Sequence, residues 1–94
     1  MEIIIDGLKI KSEDDFHHII AREMSLPDWY GKNLDALWDV LTGMAIRPLK
    51  IIWINSKQSE KILGRYKEII NLLKEIENQD KSTGMKEIFE LELK

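Results

Sequence analysis

The stretch Leu26-Pro27-Asp28-Trp29-Tyr30-Gly31-Lys32-Asn33-Leu34-Asp35-Ala36-Leu37-Trp38-Asp39-Val40-Leu41-Thr42-Gly43 decides how the rest of the chain is read. Pro27 closes whatever helix precedes it, because the residue before a proline is pushed out of the α region. Asn33 is a strong N-cap and Gly43 stands where a C′ glycine belongs, so the spacing predicts a helix from Asn33 to about Thr42. With Asn33 at 0° and about 100° per residue, Leu37, Leu41, Leu34 and Trp38 fall near 40°, 80°, 100° and 140°. Thr42, Asp35 and Asp39 fall near 180°, 200° and 240° on the same projection. One face is therefore apolar and the other carries a compact acidic strip, with Trp38 on the border. Asp35 has an ordinary reason to be there, since it complements the positive helix end. Asp39 does not: it sits mid-helix, where aspartate has poor propensity, one turn from a like charge.

Working outward, Ile3-Ile4-Ile5 reads as a short strand closed by the turn signal Asp6-Gly7. Ser12 opens a helix, with Asp15 three residues on as a weaker capping box. Phe16, Ile19, Ile20 and Met24 form its apolar stripe. Leu49 to Ile54, just after Pro48, suits a central buried strand. Ser56 or Ser59 opens a long helical region in which Ile62, Tyr66, Ile69, Ile70, Leu73 and Ile76 make one stripe and Gly64 marks a break. Asn78 to Gly84 reads as a polar loop. The last segment alternates, with Phe89, Leu91 and Leu93 inward and Glu90 and Glu92 outward. Strands separated by helical segments predict an α/β fold, a three-stranded parallel β-sheet packed with three to four α-helices mainly on one face, as a single domain over residues 1–94.

Composition narrows the function. The chain has 94 residues, no cysteine and a net charge of −3. Its 44% hydrophobic and 33% charged content is that of a folded globular protein rather than a disordered or collagen-like one. No run approaches the ~20 apolar residues of a membrane span. The N-terminus has no basic region and no cleavage pattern, so the expectation is a cytoplasmic protein with no membrane association. The charge is asymmetric: residues 1–47 carry 5 Lys/Arg against 9 Asp/Glu, and residues 48–94 carry 9 against 8. An acidic front half argues against direct nucleic-acid binding and fits a basic partner. For catalysis the sequence offers no thiol nucleophile, phosphate loop or nucleophile elbow. His17 and His18 point about 100° apart on a helix, a poor metal pair. Each has an acid four residues earlier, so the pair reads as surface i,i+4 pairing with Glu13 and Asp14. The expectation is no catalytic residue, no metal and no cofactor.

Trp29 and Tyr30 stand in a short loop flanked by Pro27, Asp28, Gly31 and Lys32, a setting that comes to the surface. One of the two is expected to anchor the loop in the core. Aromatics beside an acidic strip suit a protein-binding patch, the strip steering a basic partner and the rings anchoring it. The ungapped run from Leu26 to Gly43 closely resembles the core motif of the barstar family, intracellular inhibitors of barnase-type ribonucleases. Weaker similarity extends through Pro48-Leu49, Trp53 and Gln58-Ser59. The resemblance implies that the second helix and the loop before it plug a ribonuclease active site, with Asp39 taking the place of an RNA phosphate. It further implies interface roles for Trp29, Gly31, Asn33, Asp35, Trp38, Thr42 and Gly43, and secondary ones for Asp28, Met44, Glu75 and Glu77. Met44 stands where the family has a tryptophan, which alters the rim. Ile76 falls where it has a glutamate in an ungapped alignment, with Glu75 and Glu77 on either side. Val40 replaces a cysteine. A cis Arg47–Pro48 peptide is also implied. The expected partner is a barnase-like ribonuclease, and the free protein is expected to be a monomer. A protein-interaction domain for a different basic partner is the rival reading. A hydrolase using Asp35 and Asp39 as a carboxylate pair would need a metal or a raised carboxylate pKa, which a solvated helix face does not suggest.

Overall fold

Three parallel strands run side by side in the order β1 (Glu2–Asp6), β2 (Leu49–Ile54) and β3 (Phe89–Leu93) in the computed structural model, which describes residues 1–94. Two helices, α1 (Glu13–Glu23) and α2 (Leu34–Gly43), connect β1 to β2, and α3 (Ser56–Ile62) and α4 (Tyr66–Ser82) connect β2 to β3. The α/β order, the parallel pairing and the four helices agree with the expectation from sequence.

Register explains the core. Ile3 and Ile5 lie opposite Ile51 and Trp53, and Leu49 lies opposite Phe89. All six are buried and face the helices. The alternate residues are left on the other side, so Ile4 is exposed while Ile52 and Ile54 are half-buried. The helices thus cover one sheet face, whereas parallel sheets are usually covered on both. Trp53 is the hub. Its ring stacks on Phe16 with centroids 5.2 Å apart, and Tyr66 meets it edge-on. Its indole N–H donates to Ser59 Oγ at 2.9 Å, which satisfies the two buried polar groups against each other.

The helix ends follow local chemistry. Ser12 Oγ accepts the Asp15 N–H, while the Asp15 carboxylate reaches back one residue further than a capping box, to the Lys11 N–H at 2.8 Å. Helix α1 stops in a Schellman arrangement, with Ser25 at φ 52° and the Leu26 N–H donating to the Ala21 carbonyl. Gly7 is fixed by close approach. A Cβ there would stand 2.1 Å from the Asn55 carbonyl oxygen, where the turn after β1 meets the start of α3. The Arg47–Pro48 peptide is cis. Beside it Arg47 donates to Asp80 at 2.7 Å and to the Leu41 carbonyl at 2.9 Å, tying the end of α2 to the end of α4.

Several expectations need correction. The predicted polar loop at Asn78 to Gly84 is mostly helix, because α4 runs on to Ser82 and Asp80 within it is buried against Arg47 and the Phe89 N–H. Ile62 is exposed, not part of the stripe, since the break at Gly64 resets the helical phase between α3 and α4. Leu93 is exposed rather than inward, as β3 runs past the helical cover at its end. Gly43 is the last residue of α2 and Met44 its cap, so the glycine does not supply a left-handed C′ position. His17 is fully buried and not a surface residue. The expected i,i+4 pairing with Glu13 does form, at 3.1 Å, but on a buried ring.

Candidate functional site

Helix α2 holds the acidic strip. Leu37, Val40 and Leu41 are buried under it, and Leu34 and Trp38 pack half-buried against the core. Asp35, Asp39 and Thr42 are exposed on the opposite side, as the projection predicts. Asn33 caps the helix by accepting the Ala36 N–H at 2.8 Å and also donates to the Gly31 carbonyl at 3.3 Å. Gly31 fits this turn because a Cβ there would stand 3.3 Å from the Asn33 amide nitrogen. Thr42 donates its hydroxyl proton to the Trp38 carbonyl, so its oxygen stays available outward.

The loop before the helix separates its two aromatics by role. Tyr30 is buried, whereas Trp29 is 68% exposed. The Tyr30 hydroxyl lies 2.7 Å from Nδ1 of His17, and Nε2 of that ring lies 3.1 Å from the Glu13 carboxylate. Arg65 grips the same carboxylate with two hydrogen bonds of 2.9 and 2.8 Å. The Arg65 guanidinium, opposed by partial burial and helped by His17, pulls the Glu13 pKa down to about 2. Burial pushes the His17 pKa below its ordinary value, with Glu13 acting in the opposite direction. Burial also pushes the Tyr30 hydroxyl pKa up, so the proton stays on oxygen. Glu13 can then only accept, the neutral imidazole carries its hydrogen on Nε2, and Tyr30 donates to Nδ1. This chain from α4 through α1 to the loop sets where Trp29 stands. Lys32 adds a second tether, with Nζ 3.1 Å from His18 Nε2 and φ 53°.

Helix α4 completes the surface. Leu34, Asp35 and Trp38 of α2 face Glu68, Leu72 and Glu75 of α4 across an open groove of about 390 Å³. Asp28, Asp35, Asp39, Glu68 and Glu75 make no ion pair, while five other acids (Glu13, Glu23, Glu77, Asp80 and Glu92) do. The negative charge along this side is thus uncompensated. Glu68 and Asn71 were missed from sequence. Their signal is the i, i+3, i+7 spacing of Glu68, Asn71 and Glu75, which puts the three on one face of α4.

The other residues lie apart from this groove. Glu77 turns toward the sheet, where its carboxylate accepts the Leu91 N–H at 3.1 Å and pairs with Lys81. Ile76 is fully buried. Exposed Met44 lines a separate apolar groove of about 240 Å³ with Met24, Pro27, Val40 and Ile46, on the flank of α2 turned away from the acidic strip. No group of three or more His, Cys, Asp or Glu side chains is arranged to hold a metal ion. No helix is long and apolar enough to cross a membrane.

The family model described as Barstar (barnase inhibitor) matches residues 1–92. The chain is also 36% identical over 79 residues to the Bacillus subtilis (strain 168) protein named "Putative ribonuclease inhibitor YrdF", covering 83% of this chain and 87% of that protein.

Proposed function

The chain belongs to the barstar family, and from that premise we propose that it inhibits a small basic ribonuclease by occluding its active site. The family is one of inhibitors, and the role is binding without catalysis. In this reading the partner is barnase-like, and the inhibitor acts as a monomer in the cytoplasm. The observation that carries the reading is the pair of unpaired carboxylates, Asp35 and Asp39, one turn apart on the exposed face of α2, where Asp35 and Trp38 line a groove with Glu75.

A ribonuclease active site gathers cationic side chains around the RNA phosphate. A carboxylate held on a capped helix meets such a cleft already oriented, and forms charge-assisted hydrogen bonds, bidentate where the partner offers arginine. Asp39 is assigned that phosphate-mimicking position. Asp35, together with Glu75 across the groove, engages cations at the cleft edge, and Trp38 offers a ring face beside them. Trp29 supplies apolar contact next to the charge, with Gly31, Asn33, Thr42 and Gly43 filling the surface around it. Asp28 and Met44 belong to the rim. Of the two late-helix candidates, Glu75 is preferred because its side chain lines the groove and Glu77 is occupied at the sheet.

The test is RNA cleavage by barnase-type ribonucleases mixed with this protein, at low and at high salt. The expected result is strong inhibition with fast association that slows as salt rises. Absence of inhibition at either salt concentration refutes the proposal and leaves a domain for some other basic partner.

A further inference from the structure

We propose that the adjacent histidines His17 and His18 form a pH-sensitive latch that holds the aromatic loop, residues 27–32, against α1 and releases it on acidification. Two neighbouring residues of α1 grip the same loop at two places. His17 accepts from the buried Tyr30 hydroxyl at 2.7 Å, and His18 Nε2 lies 3.1 Å from the Lys32 ammonium. An ammonium has donors only, so the second contact requires a lone pair on His18. Both grips therefore depend on an imidazole nitrogen that carries no proton. Histidine changes charge within the pH 5 to 8 range, where no other ordinary side chain does.

Protonation has different consequences at the two places. At His17 the added hydrogen points at Tyr30, whose hydroxyl must turn round to accept it. The hydroxyl hydrogen then has no acceptor, because His17 is the only hydrogen-bond partner of that oxygen. The new charge also sits inside the core, with the Phe16 ring edge-on at 5.2 Å. At His18, an imidazolium faces an ammonium, and the contact becomes repulsive. The charged surroundings are few. Glu13 and Asp14 on α1 favour a protonated His17, Arg65 at the head of α4 opposes it, and Tyr30 from the loop stays neutral. Asp14 and Arg22 lie one turn either side of His18 on its own helix. The backbone adds to the release. Lys32 is held at φ 53°, a left-handed conformation that a side-chain-bearing residue keeps only while its surroundings impose it. Once the grips fail, Lys32 relaxes toward ordinary backbone and Trp29 moves with it.

The latch itself is a property of the free protein. Its effect on a partner rests on the inhibitor reading above. The test is an NMR titration of the free protein from about pH 8 to about pH 5, following the Trp29 indole and the Gly31 amide. In the parent both signals move together with the two histidine rings. In the Tyr30→Phe/His18→Ala double variant, which keeps the buried His17 ring, they sit at the acid position throughout and do not titrate. Signals that stay flat in the parent, or that titrate alike in parent and variant, overturn the latch. Affinity for a barnase-type ribonuclease is then measured for both proteins at about pH 7.5 and pH 5.5. The parent's advantage should shrink about tenfold per pH unit for each linked proton. A constant ratio overturns the coupling to binding. If the loop titrates and no ribonuclease binds at any pH, the latch stands and the inhibitor reading falls.

Discussion

Replacing Asp39 with alanine should make this protein more stable and a much weaker inhibitor. The stability side follows from what the side chain lacks. Asp39 makes no ion pair and no hydrogen bond that the substitution would break, and it is exposed on α2. Aspartate in a helix interior is less favourable than alanine by roughly 0.6 kcal/mol. The like charge of Asp35 four residues earlier costs about 0.3 kcal/mol more. The variant should gain about 0.5–1 kcal/mol, which for a domain of this size raises Tm by roughly 3–6 °C. The binding side has the opposite sign. A carboxylate seated in a cationic cleft is a hot-spot residue, and truncating one costs at least about 2 kcal/mol, or roughly thirtyfold in Kd. Circular-dichroism melts and inhibition titrations on the same preparations read both quantities. Raising the salt should narrow the gap in association rate between parent and variant. A variant that melts lower than the parent refutes the claim that Asp39 is a cost to the fold. One that inhibits as well as the parent refutes the phosphate-mimic assignment.

The remaining predictions test the rim, the core and the acid response. Trp29→Ala should lower affinity for the ribonuclease at least about tenfold, while stability stays within about 0.5 kcal/mol because the ring is 68% exposed; calorimetric binding and melting separate the two. Gly7→Ala places a methyl 2.1 Å from the Asn55 carbonyl oxygen and should cost about 2–3 kcal/mol in urea unfolding, with an unchanged midpoint refuting the close approach. Asp80→Asn weakens the buried contact with Arg47 and should cost about 3 kcal/mol by the same measurement. Against acid, Glu13 titrates near 2 in the fold instead of 4.5 because of Arg65, and Asp80 is also lowered, its hydrogen bonds from Arg47 and Phe89 outweighing burial. The unfolded chain then binds more protons, so this stability is complete above about pH 4.5 and is lost as pH falls toward about 2. Glu13→Gln should flatten that loss in pH-dependent unfolding curves.

What sequence could reveal depended on whether a residue answers to local rules. Helix α2 obeys them everywhere but at its end, where Gly43 is still helical: the cap at Asn33, the 3.6-residue stripe and the acidic strip are all set by residues within one or two turns, and the structure keeps each. The strands were legible for the same reason, since runs of β-branched residues alternate on a parallel sheet in only one sensible way. Two of the corrections concern partners distant along the chain. Asp80 looks like a loop residue until Arg47, thirty-three positions earlier, is brought against it. His17 looks like a surface histidine until Tyr30 and Glu13 satisfy both of its nitrogens inside the core. Polar side chains read as exposed unless the partner that permits burial is known, and no local pattern names that partner. Glu68 was missed for a related reason. Its meaning lies in facing Asp35 and Trp38 across a groove between two helices, which no single helix displays.

The distribution of acids separates what the fold needs from what it merely carries. Glu13, Glu77 and Asp80 are each held by a cation and by at least one further hydrogen bond, and each joins two elements: α1 to α4, α4 to β3, and the end of α2 to the end of α4. Removing any of them would leave a donor unpaired. Asp35, Asp39, Glu68 and Glu75 share none of this. They join nothing within the chain, and their mutual repulsion opposes the close packing of α2 on α4. Clustering of like charge is expensive for a small domain whose total stability is only about 5–15 kcal/mol. A sequence shaped by folding alone would pair these groups with cations, yet even Glu68 and Glu75, with Lys67 and Lys74 beside them in sequence, form no ion pair. The cluster is instead kept on the side of the molecule where Leu34, Trp38 and Leu72 line a groove between the two helices. A basic partner is the simplest agent that turns that cost into a gain, since it neutralises on binding what the free protein leaves uncompensated.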